Sequence, residues 1–329
     1  MIASMSLLDS ARRARSKAPP PAPFVVGVSR SGTTLLRLML DAHPDLAIPA
    51  ETHFIPKLIR EVKNSDGDPR EVALETITTH RRWPDFKLDQ DELAERIRAL
   101  HDPSVTEILR AFYGLYAERE GKPRWGDKSP PYVRKMRRIN KFLPEARFIH
   151  LIRDGRDVAL SIRDRAVKEH PIDRIAERWV RRITRARAQA KRLPHYEEIR
   201  YESLVLDTRP TLERICEFLE LPWDDALLDY HERSAGRLEE MKRELPDDGK
   251  RTTLSVERRM ATHARTTEKP DPRRVSRWRE GMDRSDRDAF EAIAGPLLAE
   301  LGYRIGDGPG TEPRAAAGDA NGDGEGEAP

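Results

Sequence analysis

The stretch Gly27-Val28-Ser29-Arg30-Ser31-Gly32-Thr33-Thr34 sets two glycines five residues apart, with hydroxyls after the second and a long cation between them. Glycines at this spacing let the backbone fold tightly round an anion, and a helix opening at Thr33 aims its first N–H groups at it. The pattern is therefore the frame of a phosphate-binding loop. An ATPase places a lysine directly after the second glycine, but Thr33 stands there and the cation, Arg30, lies inside the loop. A guanidinium fork pairs directly with a multi-oxygen anion. A second stretch, Arg147-Phe148-Ile149-His150-Leu151-Ile152-Arg153-Asp154-Gly155, ends its apolar run in an arginine where a Mg²⁺-dependent NTPase presents a carboxylate, although Asp154 follows. An ordinary strand-to-helix turn and solvated arginines are the plain alternatives for the two stretches.

These residues need elements to hold them. PFVVGV is a short β-rich run, and in TTLLRLMLDAH the residues Leu35, Leu36, Met39 and Leu40 follow helical spacing, so the loop sits between strand and helix. RFIHLI followed by a helix through Val158, Leu160 and Ile162 repeats that arrangement. A long basic amphipathic segment at 172–192, a strand in EEIRYESLV, a helix in TRPTLERICEFLEL and a last helix around DRDAFEAIAGPLLAELG complete the alternation. Strands alternating with helices predict an α/β fold, a P-loop-containing parallel sheet flanked by helices. Residues 57–122 predict a helical insertion broken at DGDP, Trp83-Pro84 and Asp102-Pro103, and the polar, weakly periodic stretch 234–272 reads as a loop or lid.

With 329 residues, 37% of them hydrophobic, the chain can build a sizeable core, and no apolar run approaches the roughly 18 residues of a membrane span. Sixty basic against 57 acidic residues give +3, too little to imply a nucleic-acid partner. Residues 1–22 carry four cations against Asp9 and run into APPPAP (18–23), while 306–329 carry six acids against Arg314. Both read as disordered tails, which leaves one domain over 23–305. Cys216 is the single cysteine; it follows the apolar spacing of Leu212, Ile215 and Leu219 and reads as a buried helical residue rather than a nucleophile. The N-terminus has no standard secretion signal, and no His/Cys cluster has zinc spacing, so a cytoplasmic chain without a metal is expected.

In order and in detail, these blocks resemble the sulfotransferases that use 3′-phosphoadenosine 5′-phosphosulfate (PAPS), and most of all the tyrosylprotein sulfotransferases. PFVVGVSRSGTTLLRLMLDAHPDL with ETHFIP is similar to that family's 5′-phosphosulfate loop, following helix and base-bearing segment; RFIHLIRDGRDVALSI is similar to its 3′-phosphate segment. GDKSP, YESLVLDTRPTLERICEFLELPW and the stretch from ARTTEKP through SRW to LGY extend the likeness over about half the chain. The resemblance implies that Arg30, Ser31, Gly32, Thr33 and Thr34 hold the 5′-phosphosulfate and that Arg153, Ser161 and Arg165 hold the 3′-phosphate. Tyr201 and Arg277 correspond in context to further cofactor contacts. Glu51 falls where the family has its catalytic base, in a Glu-x-His-Phe run that heparan sulfate sulfotransferases share. Lys128 would steady the leaving oxygen, with Thr266 or Thr267 assisting.

The departures bear on the acceptor. Ile48 and Gly126 replace the cysteines that pair in the Golgi tyrosylprotein enzymes, which fits a reducing compartment. His53 replaces a basic residue implicated there in reading acidic peptides, and the insertion 57–122 has no close counterpart. The acceptor expected is a hydroxyl on a small metabolite, lipid, sugar or peptide tyrosine. A P-loop nucleotide kinase or NTPase, and a non-catalytic nucleotide-binding protein, are the competing readings.

Overall fold

The computed structural model describes residues 19–164, 170–249 and 253–306. Four parallel strands, β1 (Ala22–Gly27), β4 (Asp127–Lys128), β5 (Ala146–Ile152) and β6 (Tyr196–Arg200), form a sheet in the order β4-β1-β5-β6. Two short strands, β2 (Leu46–Ala47) and β3 (Arg124–Trp125), make a separate parallel pair. The helices of eight or more residues are α1 (Thr33–Asp41), α2 (Ile55–Asn64), α3 (Pro69–Thr78), α4 (Gln90–Arg98), α5 (Val105–Arg119), α6 (Gly155–Arg163), α7 (Ile172–Ala190), α8 (Thr208–Phe218), α9 (Tyr230–Leu238), α10 (Val256–His263) and α11 (Arg284–Glu300).

Strand periodicity divides the core. Phe24 and Val26 of β1 pack with Phe148 of β5 into the insertion, whereas Val25, Ile149 and Leu151 turn the other way onto α1 and α8. The insertion is helical, as its sequence predicts, with side chains of Asp68, Asp89 and Ser104 capping α3, α4 and α5. From β1 the chain leaves towards β4, and from β5 towards β6, so the loops after β1 and β5 part at a topological switch point, where open α/β sheets hold ligands.

Three expectations change. The strand read into EEIRYESLV ends at Arg200, and Tyr201 opens a short helix, Tyr201–Leu206. Ala22, counted with the N-terminal arm, is the first residue of β1 and is buried. The supposed loop at 234–272 contains the end of α9, all of α10 and several 3₁₀ turns. Its helical pattern is weak because two of its buried side chains, Glu240 and Arg259, are charged. Arg37 of α1 donates to Glu240 at 3.0 Å, Tyr116 of α5 donates to the same carboxylate at 2.7 Å, and Arg259 of α10 pairs with buried Asp85 at 2.7 Å. Ion pairs do there what apolar contacts do elsewhere, and a hydrophobic count does not register them.

Candidate active site

The loop after β1 is shaped by two left-handed residues, Arg30 at φ 77° and Gly32 at φ 93°. Gly32 is required twice over: only glycine takes that conformation freely, and a Cβ there would lie 2.4 Å from the Tyr201 ring. Gly32 caps α1 without a side-chain hydrogen bond, and no acid sits in the first turn, so the helix start faces outward uncommitted. The buried hydroxyl of Ser31 also has no partner among the described residues. A cavity of about 310 Å³ opens here, lined by Arg30, Gly32, Thr33, Thr34, Arg153 and Ser161. Tyr201, Thr266 and Arg277 line it further round.

Arg153, at the end of β5, stacks over the Tyr201 ring with its guanidinium carbon 4.4 Å from the centroid, and donates to the carbonyls of Arg30 (3.3 Å) and Arg274 (2.8 Å). Its buried Nε has no partner. Arg30 Nε donates to Ser161 Oγ at 3.1 Å, and Arg277 pairs with Asp164 at 3.1 Å. The orphaned Ser31 hydroxyl, the orphaned Arg153 Nε and the uncapped helix start are the donors that a ligand with two separated phosphate groups requires, so the residues fit the nucleotide that the resemblance implies. Arg165 lies outside the described residues.

Glu51 stands apart from that cavity's lining and is surrounded by cations. Lys128 Nζ donates to its Oε1 at 2.8 Å, and on Oε2 lie His53 Nε2 at 2.9 Å and Arg82 Nη2 at 3.1 Å. Burial alone would raise the Glu51 pKa, but Lys128, Arg82 and His53 together hold it well below the usual carboxylate range. The Lys128 ammonium, itself buried, is also 3.4 Å from Thr34 Oγ1, so a single cation touches both the carboxylate and the phosphate-type loop. Burial lowers its pKa and Glu51 opposes that shift. His53 takes a left-handed φ of 56°, a conformation uncommon for a residue with a Cβ.

Beneath the pair, Asp127 Oδ2 accepts hydrogen bonds from Thr52 (2.7 Å) and Tyr113 (2.9 Å), and Thr52 N donates to Ser129 Oγ at 3.1 Å. The neighbours of Glu51 and of Lys128 are thus fastened to one another. Thr266, expected beside the leaving oxygen, spends its hydroxyl proton on the carbonyl of His263 at 2.7 Å.

Three further residues stand near this centre, two of them without any signal in the sequence. Arg82 comes from the insertion and His263 lines the cavity from α10, whereas Asp127 lies in GDKSP beside Lys128. Burial and then Lys128 push the His263 pKa down to about 3, so its imidazole is neutral. Asp154 bears on the competing NTPase reading. Its Oδ1 accepts from Arg156 N (2.9 Å) and Nε (3.0 Å) and its Oδ2 from Arg156 Nη2 (2.7 Å), which commits both oxygens to a neighbouring arginine.

Protein-tyrosine sulfotransferase 1 of Danio rerio is 28% identical over 297 residues, covering 86% of this chain and 72% of its own. Protein-tyrosine sulfotransferase of Drosophila melanogaster is 28% identical over 221 residues; the match spans 64% of this chain but only 40% of that protein. The fold is that of the sulfotransferase domain from the Synechococcus PCC 7002 olefin synthase, with TM-score 0.58 at 23% identity over 88% of this chain and 97% of that one. The domain from the curacin biosynthetic pathway superposes with TM-score 0.56 at 19% identity, over 88% and 100% of the two chains. The model of the sulfotransferase family matches residues 21–225, well over half of the chain, and the protein belongs to that family.

Proposed function

We propose that this enzyme transfers a sulfuryl group from PAPS to a hydroxyl acceptor, and that Glu51 and Lys128 are its catalytic pair. The observation that carries the reading is the Lys128 ammonium held between Glu51 at 2.8 Å and Thr34 at 3.4 Å, which joins a base to a phosphate-type loop. In this reading Arg30, Ser31, Gly32, Thr33 and Thr34 hold the 5′-phosphosulfate, Arg153 and Ser161 the 3′-phosphate, and Tyr201 and Arg277 the rest of the nucleotide. PAPS supplies the sulfuryl group and leaves as the bisphosphate PAP.

Glu51 takes the acceptor's proton as the acceptor oxygen bonds to sulfur. Lys128, turning from Glu51 towards the loop, offsets charge on the departing phosphate oxygen and at the same time releases the carboxylate to act as a base. Thr266 assists only if it gives up its bond to His263. Proteins similar to this chain are named for protein tyrosine, and a tyrosine hydroxyl belongs to the acceptor class proposed. A cytoplasmic setting is part of the same proposal, since Cys216 has no partner for a disulfide within the chain.

The test is ligand-induced stabilisation of the intact protein. PAP is expected to raise the melting temperature more than ADP does, with or without a chelator, because two arginine-bearing loops wait for two phosphate groups. Arg153→Ala is expected to weaken PAP binding by about 10- to 100-fold, the worth of a charge-assisted contact of about 1.5–3 kcal/mol. A larger shift with ATP and Mg²⁺ than with PAP would give the kinase reading the site instead.

A further inference from the structure

A second cavity, of about 290 Å³, shares Arg30 and Ser161 with the first but has a different character. One wall is apolar, from Val28 at the start of the β1 loop, Val158 of α6, and Ile175 and Trp179 of α7. Arg178 and Arg182 of α7 and Arg258 of α10 supply cations, and no carboxylate occurs among the described lining residues.

The arginines towards the two ends of α7 are neutralised, and those on the face between them are not. Arg174 pairs with Glu177 at 3.3 Å and Arg187 with Glu198 at 2.6 Å. Arg178 and Arg182 lie one helical turn apart, between those pairs, and form no ion pair among the described residues. Both are half-buried. The Arg182 pKa is lowered, first by burial and then by the like charges of Arg134, Arg178 and Arg181. Like charges at this spacing destabilise a helix, and half-burying them adds a desolvation cost that water only partly offsets. An anion seated between them would remove both penalties.

We propose that this cavity receives the body of the acceptor, and that the acceptor is a compact aryl or alkyl alcohol carrying its own anionic group. Arg178 and Arg182 hold that group, the wall of Val28, Val158, Ile175 and Trp179 covers the apolar body, and the hydroxyl extends past Arg30, out of the cavity, to the sulfuryl group on the β1 loop, where Glu51 takes its proton. The inference rests on the transfer reaction proposed above. It deepens that reading by naming a substrate class and an anion site on α7, built on two arginines that the cofactor reading does not use. A cavity of this size suits a small hydroxy acid rather than an extended chain.

Two probes that share a body separate charge from shape: 2-naphthol and 6-hydroxy-2-naphthoate, titrated by fluorescence into the PAP-saturated, full-length protein. The naphthoate is expected to bind roughly tenfold or more tightly than the naphthol, with a preference that shrinks as salt is raised. Arg178→Met and Arg182→Met keep the aliphatic stems and should remove most of that preference, while Arg182→Lys should retain part of it. Unchanged PAP affinity in each variant shows that it is folded. Equal affinities for the two probes, or a preference that survives in both methionine variants, would overturn the inference. The underlying reaction is followed separately with labelled PAPS. A carboxylate preference that depends on Arg182, without any sulfuryl transfer to the bound phenol, keeps the anion site and sinks the transfer reading; transfer to naphthol and naphthoate alike, indifferent to both arginines, does the reverse.

Discussion

The cofactor loop and the Glu51 centre, a few ångströms apart through Lys128, are built on different principles. The loop is a backbone object: two left-handed residues, a glycine pressed against Tyr201 and an uncapped helix start make its shape, and most of it comes from eight consecutive residues. The Glu51 centre is a charge object. It draws Glu51 and His53 from one segment, Arg82 from the insertion and Lys128 from β4. The first is preformed and waits for an anion; the second already holds its charges in balance and must be partly undone to work.

Removing the centre of that balance gives the largest effect. Glu51→Gln keeps the shape of the side chain but leaves Lys128, Arg82 and His53 without their common carboxylate. Turnover measured with labelled PAPS is expected to fall by about 10²–10⁴-fold, while PAP affinity stays near that of the parent. Because Lys128, Arg82 and His53 hold its pKa well below the usual carboxylate range, Glu51 is ionised in the resting site at neutral pH, and its protonation should not limit turnover there. Near-parental turnover in Glu51→Gln would show that Glu51 serves only to order the surrounding cations.

That contrast also explains what could be read in advance. The β1 loop, the β5 segment ending in Arg153, the helical insertion and the buried place of Cys216 all follow from contiguous residues with a local periodicity, and each stands in the structure near its expected position. Arg82 and His263 lie 31 and 212 residues from Glu51, and only the folded chain brings them to it or to the adjoining cavity. The polar segment 234–272 concealed α10 for the same reason: Arg259 is buried on Asp85, and its charge reads as solvent exposure until the partner is known. Glu51 itself was singled out through resemblance to a family, since as a lone residue it looks like any helix-flanking acid.

The next effect concerns the scaffold beneath the charge object. Asp127 is wholly buried; burial outweighs its hydrogen bonds from Thr52 and Tyr113 and pushes its pKa up to about 6, and its Oδ1 has no partner among the described residues. A carboxyl whose pKa is raised from 3.8 to about 6 on folding leaves stability intact below 3.8 and removes it as pH rises towards 6, by an amount on the order of 3 kcal/mol at full extent. Asp127→Asn cannot ionise, so this part of the pH dependence should disappear. Urea unfolding at pH 4.5 and pH 7 would then show the variant gaining on the parent as pH rises. A constant difference between the two proteins at both pH values would mean that Asp127 is ionised throughout and is a fixed part of the charge balance.

The smallest effect is expected behind the loop, where the structure is scaffold alone. Cys216 lies on α8, 3% exposed and packed in the apolar layer with Val25, Ile149 and Leu212. Burial pushes its pKa up to about 11, so at pH 8 only about one molecule in a thousand carries the thiolate, the form that attacks electrophiles and binds metals. Cys216→Ala removes one buried sulfur and should cost about 1 kcal/mol of stability through the small void it leaves. Turnover and PAP affinity should stay within about twofold of the parent, and iodoacetamide should leave the folded protein unlabelled over the time in which it consumes a free thiol. Since Cys216 is the only thiol in the chain, label uptake needs no assignment. Rapid labelling accompanied by loss of sulfuryl transfer would show that the layer behind the β1 loop opens during turnover, and the preformed half of the site would then be as mobile as the balanced half.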